Sequence, residues 1–236
     1  MKRTTYRVDL AYDGSSYAGF AKQLDQRTVE GEILKVLQPH IKDLPAIMVG
    51  GRTDKGVNAT GQVISFWSHT EYPTGFIDDA FRALPDDIAT QNVRIVPRSF
   101  HARYSASGRR YVYFAPLLDV SIHRMNLMFN NIIGRRCFSA FARNTPPSKS
   151  TIRTLWEARV RITNFEGRPA LRFNFGADGF LRKQIRVLVA TVIREAIDAK
   201  DEYCLLDYCE QADRRLTAKP ASPEGLYLSK IIYGPC

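Results

Sequence analysis

Two apolar runs, residues 46–49 and 61–67, flank the segment Gly50-Gly51-Arg52-Thr53-Asp54-Lys55-Gly56-Val57-Asn58-Ala59. Ile47, Met48 and Val49 lead in, and Val63, Ile64 and Phe66 lead out. Two buried strands joined this way leave the turn little freedom beyond what its glycines supply. Glycine accepts positive φ and lets another group approach the backbone closely. Asp54 is therefore expected to be exposed yet rigidly held, which suits a nucleophile or a general base better than packing. Arg52 favours the ionised carboxylate, since a nearby cation lowers an acid's pKa. Taken alone, the same residues also read as a loop closed by a structural Arg–Asp bridge, so the rest of the chain must decide.

That rest predicts strands and helices in mixed order. Residues 5–12 alternate and stop at Asp13-Gly14, a turn signal. Thr28 is a candidate N-cap for a helix whose Val29, Ile33, Val36 and Leu37 recur at helical spacing, with Pro39 just beyond. Residues 73–84 read as a helix and 92–96 as a strand. Residues 109–117 form an aromatic strand, 123–131 a helix and 146–150 a loop. Residues 155–163 and 169–175 form an antiparallel pair around Asn164-Phe165-Glu166-Gly167-Arg168, and 226–232 a last strand. The longest helix follows Ala177-Asp178-Gly179, with Leu181, Ile185, Leu188, Val189, Val192, Ile193 and Ala196 along one stripe. Arg182, Lys183 and Arg186 crowd its start, where the helix dipole favours anions, so an anion is expected near them. Hairpin-like pairs alternating with helices predict an α+β fold with mainly antiparallel sheet. The expected halves are residues 1–98, carrying the Asp54 loop, and residues 99–236.

The chain has 236 residues, 44% hydrophobic and 25% charged, which suits one large globular domain or two small ones. No run reaches the roughly 18 apolar residues of a membrane span. The basic start lacks the apolar core of an export signal, so a cytoplasmic protein with no membrane partner is expected. The net charge of +10 points to a polyanion, most commonly nucleic acid. Cys137, Cys204, Cys209 and Cys236 form no CxxC pair, and the four histidines are scattered. No zinc spacing results, and disulfides are not expected without export.

Four segments stand out together: Tyr12-Asp13-Gly14; Gly51-Arg52-Thr53-Asp54-Lys55-Gly56-Val57; Phe100-His101-Ala102-Arg103-Tyr104-Ser105-Ala106 with Arg110-Tyr111-Val112-Tyr113; and Gly179-Phe180-Leu181-Arg182-Lys183-Gln184-Ile185-Arg186. Gly225-Leu226-Tyr227-Leu228 closes the series. In this order they resemble the TruA family of tRNA pseudouridine synthases over residues 6–233. The resemblance implies two similar α/β halves with an active-site cleft between them. It makes Asp54 the catalytic aspartate, supported by Arg52, by Tyr111 packing on the target base and by Arg186 pairing with the acid. It also implies RNA contacts by His101 and Arg103. Lys22, Arg109, Arg110, Arg182 and Lys183 are further candidate RNA-binding cations. The implied reaction acts on tRNA uridines on the 3′ side of the anticodon stem-loop, by a homodimer. Asn58 stands where the family usually has His, Phe20-Ala21-Lys22-Gln23 replaces a Gly-Trp-Gln run, and Ala190 sits where Gly is common.

The chemistry fits these residues. Turning uridine into pseudouridine breaks the N1–C1′ bond, turns the base and joins C5 to C1′. No redox step occurs and nothing is added, so neither metal nor organic cofactor is required. A carboxylate can attack C1′, stabilise an oxocarbenium-like species or take the C2′ proton, as carboxylates do related work in glycosidases. Read without the resemblance, Tyr111 is an aromatic core residue, Arg186 a solvated flank and His101 a polar loop residue. Two other functions stay open at this point: a non-catalytic RNA-binding or chaperone protein, and a carboxylate-dependent hydrolase. The hydrolase would want a second acid, which the Asp54 turn does not supply.

Overall fold

The computed structural model describes residues 3–146 and 148–234. Pro147, within the loop expected at 146–150, and Cys236 lie outside the described residues. In chain order the elements are β1 (Thr4–Tyr12), α1 (Val29–Leu37), β2 (Met48–Val49), β3 (Asn58–Ser68), α2 (Thr74–Phe81), β4 (Ile88–Val96), β5 (Ala106–Pro116), α3 (Ile122–Asn131), β6 (Gly134–Cys137), β7 (Ile152–Phe165), β8 (Arg168–Ala177), α4 (Gln184–Ile197), α5 (Cys204–Gln211) and β9 (Leu226–Tyr233). Sheet pairing is mostly antiparallel and helices flank it, so the fold is mixed α+β. The chain divides into two compact units, Met1–Ser107 with Tyr227–Cys236, and Gly108–Leu226. No helix among the described residues is long and apolar enough to cross a membrane.

In the first unit the strands run in the order β4, β1, β3, β9. Period-two alternation orients β1: Tyr6, Val8, Leu10 and Tyr12 are buried, while Arg7 and Asp9 on the other face are only half-buried. The register places Tyr6 opposite Phe66, with their rings stacked at 5.3 Å. Arg7 lies opposite Ser65 on the other face. α1 forms where the sequence predicts it. The Thr28 hydroxyl accepts the Gly31 N–H, Glu30 and Glu32 occupy the first turn, and Val29, Ile33 and Leu37 are buried on one stripe. The edge of β3 is shared. Its start pairs in parallel with β9, Asn58 opposite Tyr227, and its later part pairs with the two residues of β2.

In the second unit β5, β8, β7 and β6 follow one another, every pair antiparallel. Glu166 and Gly167, both at positive φ, close the β7–β8 hairpin. Phe129 of α3 meets Phe173 and Phe175 of β8 edge-on. Asn126 of α3 bonds both the N–H and the C=O of Val160, occupying backbone groups of β7 that no strand reaches there. Two elements carry no clear pattern and were not expected. β6 is a four-residue Gly-Arg-Arg-Cys strand, and α5 is a short helix that buries Cys204, Leu205 and Cys209. α4 starts at Gln184, later than its apolar stripe suggests. Leu181 and Arg182 precede it, and Lys183 sits at the N-cap in the left-handed region. Cys137, Cys204 and Cys209 are free thiols.

The pairing of β3 with β9 leaves no room beside Gly61, where a Cβ would lie 2.1 Å from the Ser229 carbonyl oxygen. The obstacle is backbone and cannot swing aside. Gly61→Ala is expected to destabilise the protein by about 1–3 kcal/mol, the usual range for overpacking. Gly75→Ala, where a Cβ meets nothing within 4 Å, is the control and should unfold at or above the wild-type midpoint in urea.

Candidate active site

The loop between β2 and β3 is pinned from beneath by one buried amide. Gln62 is fully buried on β3. Its Nε2 donates to the Gly51 carbonyl at 2.6 Å and to the Tyr12 hydroxyl at 3.3 Å. Its Oε1 accepts from the Gly51 N–H at 3.2 Å and the Val63 N–H at 3.1 Å. Tyr12 shares a further bond with the Thr53 hydroxyl at 2.8 Å. Burial pushes the Tyr12 pKa up to about 12, partly offset by its hydrogen bonds with Thr53 and Gln62, so it stays a neutral phenol.

The loop is clamped from the side as well. The Phe20 N–H donates to the Thr53 carbonyl at 3.1 Å, and Gly19 forms an isolated bridge with Asp54. Gly19 has φ +116°, and a Cβ there would lie 3.0 Å from the Thr53 oxygen. Gly56, at φ +75°, donates to the Tyr17 carbonyl, and the Val57 N–H donates to the Asp54 carbonyl at 3.2 Å. The Tyr12-Asp13-Gly14 turn meets the same loop so tightly that a Cβ on Gly14 would sit 2.1 Å from the Val57 oxygen. Asn58 completes this joint, its Oδ1 accepting the Gly14 N–H at 2.7 Å. Phe20 is fully buried, its ring 6.3 Å from that of Tyr12. Two of the three departures noted above, Phe20 and Asn58, thus belong to the support of the loop.

Asp54 itself is half-buried. Arg52 beside it is exposed, and so is Lys22 on the clamping segment. His101 and Arg103 lie on a different loop, anchored where the Ala102 N–H donates to Ser65 on β3. The imidazole of His101 accepts the N–H groups of Arg103 and Tyr104 at Nδ1, at 3.1 and 3.3 Å, which puts its proton on Nε2. Burial holds its pKa below the ordinary value, and the Arg103 charge adds to this.

In the second unit Tyr111 is nearly buried on β5, edge-on to Phe180 at 5.2 Å. Arg186 is half-buried rather than a solvated flank: its Nε donates to the Ala221 carbonyl at 2.6 Å, and its own carbonyl accepts the Ala221 N–H. Arg109 donates to the Asp178 carbonyl at 2.9 Å, and exposed Arg110 stands 3.6 Å from Glu157. Arg182 is exposed and Lys183 half-buried, both just ahead of α4. Among the described residues no group of three or more His, Cys, Asp or Glu side chains is placed to hold a metal ion.

A family model described as tRNA pseudouridine synthase matches residues 128–234. The tRNA pseudouridine synthase A of Lacticaseibacillus casei (strain BL23) is 35% identical over 251 residues, covering 98% of this chain and 100% of that protein. The protein of the same name from Latilactobacillus sakei subsp. sakei (strain 23K) is 32% identical, over 97% of this chain and 98% of that one. The one from Chlorobaculum tepidum is 34% identical, over 98% of each. The chain belongs to the tRNA pseudouridine synthase A family. Within it, the Asp54 loop is carried by residues the sequence pattern did not single out: Gln62, Thr53 and Gly19. Gln62 is a polar residue inside an apolar run, and that misfit is the signal that marks it.

Gln62→Leu keeps roughly the same volume but orphans both backbone groups of Gly51. The expected cost is about 1–3 kcal/mol for each buried group left unsatisfied, and the Gly51 amide should exchange with solvent far faster in hydrogen-exchange measurements. For His101 the folded pKa is depressed, so the unfolded state binds the proton more readily. Its contribution is fully present above the ordinary histidine value of about 6.5 and is lost as pH falls through the lower folded value. The amides of Arg103 and Tyr104 should accordingly lose protection on acidification, and a His101→Ala variant should show no such step.

Proposed function

We propose that this protein isomerises uridine to pseudouridine in tRNA, with Asp54 as the catalytic carboxylate. The near-full-length match to proteins named tRNA pseudouridine synthase A carries this reading. The clamped Asp54 loop supports it, because a carboxylate that works at one sugar carbon has to be positioned before the substrate arrives. In the reaction the N1–C1′ bond breaks, the base turns, C5 bonds to C1′, the C5 proton leaves and N1 takes one up. Atoms balance within one nucleotide, and a carboxylate can supply the attack, the charge stabilisation or the proton transfer that C1′ and C2′ need. The match also disfavours the non-catalytic RNA-binding alternative.

The finer assignments rest on the resemblance. Arg52 and Arg186 serve the charge of Asp54, and Tyr111 packs on the target base. Extruding a stacked base costs a few kcal/mol, and aromatic stacking returns about 1–3 kcal/mol. Lys22, His101, Arg103, Arg109, Arg110, Arg182 and Lys183 grip the RNA. The target uridines lie on the 3′ side of the anticodon stem-loop, and a cytoplasmic homodimer holds the tRNA across both subunits.

Asp54→Asn tests the core of this. It should lower pseudouridine formation by at least about a hundredfold, the scale of a lost acid–base group, while tRNA affinity stays within about threefold, because binding is spread over many cations. Mass spectrometry of tRNA after derivatisation of pseudouridine reads the first, and fluorescence anisotropy the second. Wild-type turnover by the Asn variant would remove Asp54 from the chemistry.

A further inference from the structure

Tyr104 is the most exposed aromatic ring of the first unit, at 78% relative accessibility. A single exposed aromatic needs no explanation. What calls for one here is how firmly it is mounted. The Ser105 N–H donates to the His101 carbonyl at 2.9 Å, and the His101 N–H to the Ser105 hydroxyl at 3.0 Å. Nδ1 of His101 fixes the next two amides, and its ring lies 4.4 Å from that of Tyr104. Beneath them Ala102 is fully buried. Its N–H donates to the Ser65 hydroxyl at 2.9 Å, and its carbonyl accepts from the Tyr233 hydroxyl at 2.7 Å. Tyr233 is in turn packed between Phe100, at 5.0 Å, and the Arg7 guanidinium, at 4.6 Å. The result is a short turn bonded at both ends, presenting one ring with one cation beside it: Arg103 lies 5.8 Å from the Tyr104 centroid.

We propose that Tyr104 is a stacking platform for an unpaired base of the RNA substrate, with Arg103 holding the adjoining phosphate. This rests on the reading of the protein as a tRNA-modifying enzyme. Every base offers a π-face, so an aromatic platform grips RNA without choosing sequence. A neighbouring guanidinium supplies the charge-assisted bonds a phosphate takes. The chain's +10 charge favours the same partner. A protein partner fits less well, since the residues flanking the ring are exposed and polar or charged, Arg103 and Ser105, and one ring falls short of the apolar patch of several hundred Å² that marks such an interface. The base held here is not the one Asp54 acts on. The turn is anchored at Ser65, seven residues along β3 from Asn58 at the end of the Asp54 loop, about 23 Å at the rise of a strand. The platform therefore sets how the RNA lies and leaves the bond-breaking to Asp54.

The test uses full-length protein and an unmodified tRNA transcript, with affinity measured by anisotropy over a salt series and initial rates measured in parallel. Tyr104→Ala should weaken binding and raise KM by about five- to a hundredfold, the range of one lost stacking contact, with kcat at saturating tRNA within about twofold. Tyr104→Phe should bind like the wild type and Tyr104→Leu should not. Arg103→Ala should instead reduce the slope of log affinity against log salt by about one phosphate's worth. With 4-thiouridine-substituted tRNA, photocrosslinking should label the turn carrying Tyr104. Equal affinities for the Ala, Leu and Phe variants would overturn the proposal. So would an Ala variant that falls apart into monomers while each remaining dimer binds tRNA normally, since Tyr104 would then be a contact between protomers. A wild-type enzyme that forms no pseudouridine in tRNA would sink the functional reading itself. A wild type that does, beside an indifferent Tyr104→Ala, would sink only the platform.

Discussion

Gln62 bonds both backbone groups of Gly51 and the hydroxyl of Tyr12, and the geometry of the whole Asp54 loop follows from that. A buried amide is expensive unless its donors and acceptors are matched. Here the matching fixes a register: the loop leaves β2 at the one place where Gly51 faces Gln62, and Thr53 then faces Tyr12. An apolar side chain at 62 would bury as well but would specify no position for the loop. The same logic runs through Asn58, whose single bond to the Gly14 N–H joins the Tyr12-Asp13-Gly14 turn to the start of β3. The backbone on either side of Asp54 is thus held by its neighbours, at Thr53 and at Gly56.

This arrangement explains which parts of the protein were legible in the sequence. Tyr12-Asp13-Gly14, the Asp54 loop and α1 announce themselves because turn chemistry, capping and helical spacing are local. Thr28 caps Gly31 as its position predicts. The boundaries of α2 and α4 were less legible, because apolar spacing runs beyond the helical hydrogen bonds: Leu181 is buried like a helix residue yet lies in the lead-in, where its N–H is bonded by the Gln184 side chain. β6 and α5 were not legible at all. Gly134-Arg135-Arg136-Cys137 becomes a strand only because β7 offers it a partner. The parallel contact of β9 with β3 is likewise non-local and leaves no trace in either segment alone.

The charge of the chain also divides by position. A good share of its arginines are engaged internally. Arg143 donates to three carbonyls and the Thr217 hydroxyl, and burial lowers its pKa, as desolvation does for a cation. Arg124 holds the carbonyls of Ala199 and Lys200, just past the end of α4. Arg194 is tied to buried Glu195 and to the Leu216 carbonyl. These side chains use the planar donor fork that lysine lacks. Lys22, Arg52, Arg103, Arg110 and Arg182 are among the cations left exposed. Net charge read from composition counts both kinds alike, and only burial separates them.

The two residues that depart from the family pattern near Asp54 show how such a site tolerates change. Phe20 supplies its backbone N–H to Thr53, and any residue but proline can do that; its ring needs only to fill the space beside Tyr12. Asn58 needs an acceptor within reach of the Gly14 amide, which an asparagine oxygen provides at 2.7 Å and an imidazole nitrogen can equally provide. Neither substitution touches the main-chain clamps on Thr53 and Asp54. Gly14, Gly19 and Gly61 stand at the other extreme. At each a single methyl would meet backbone, which no side-chain repacking can move. Variation is therefore permitted where a side chain meets the loop and forbidden where backbone meets backbone, and the fixed acid follows from the second kind of contact.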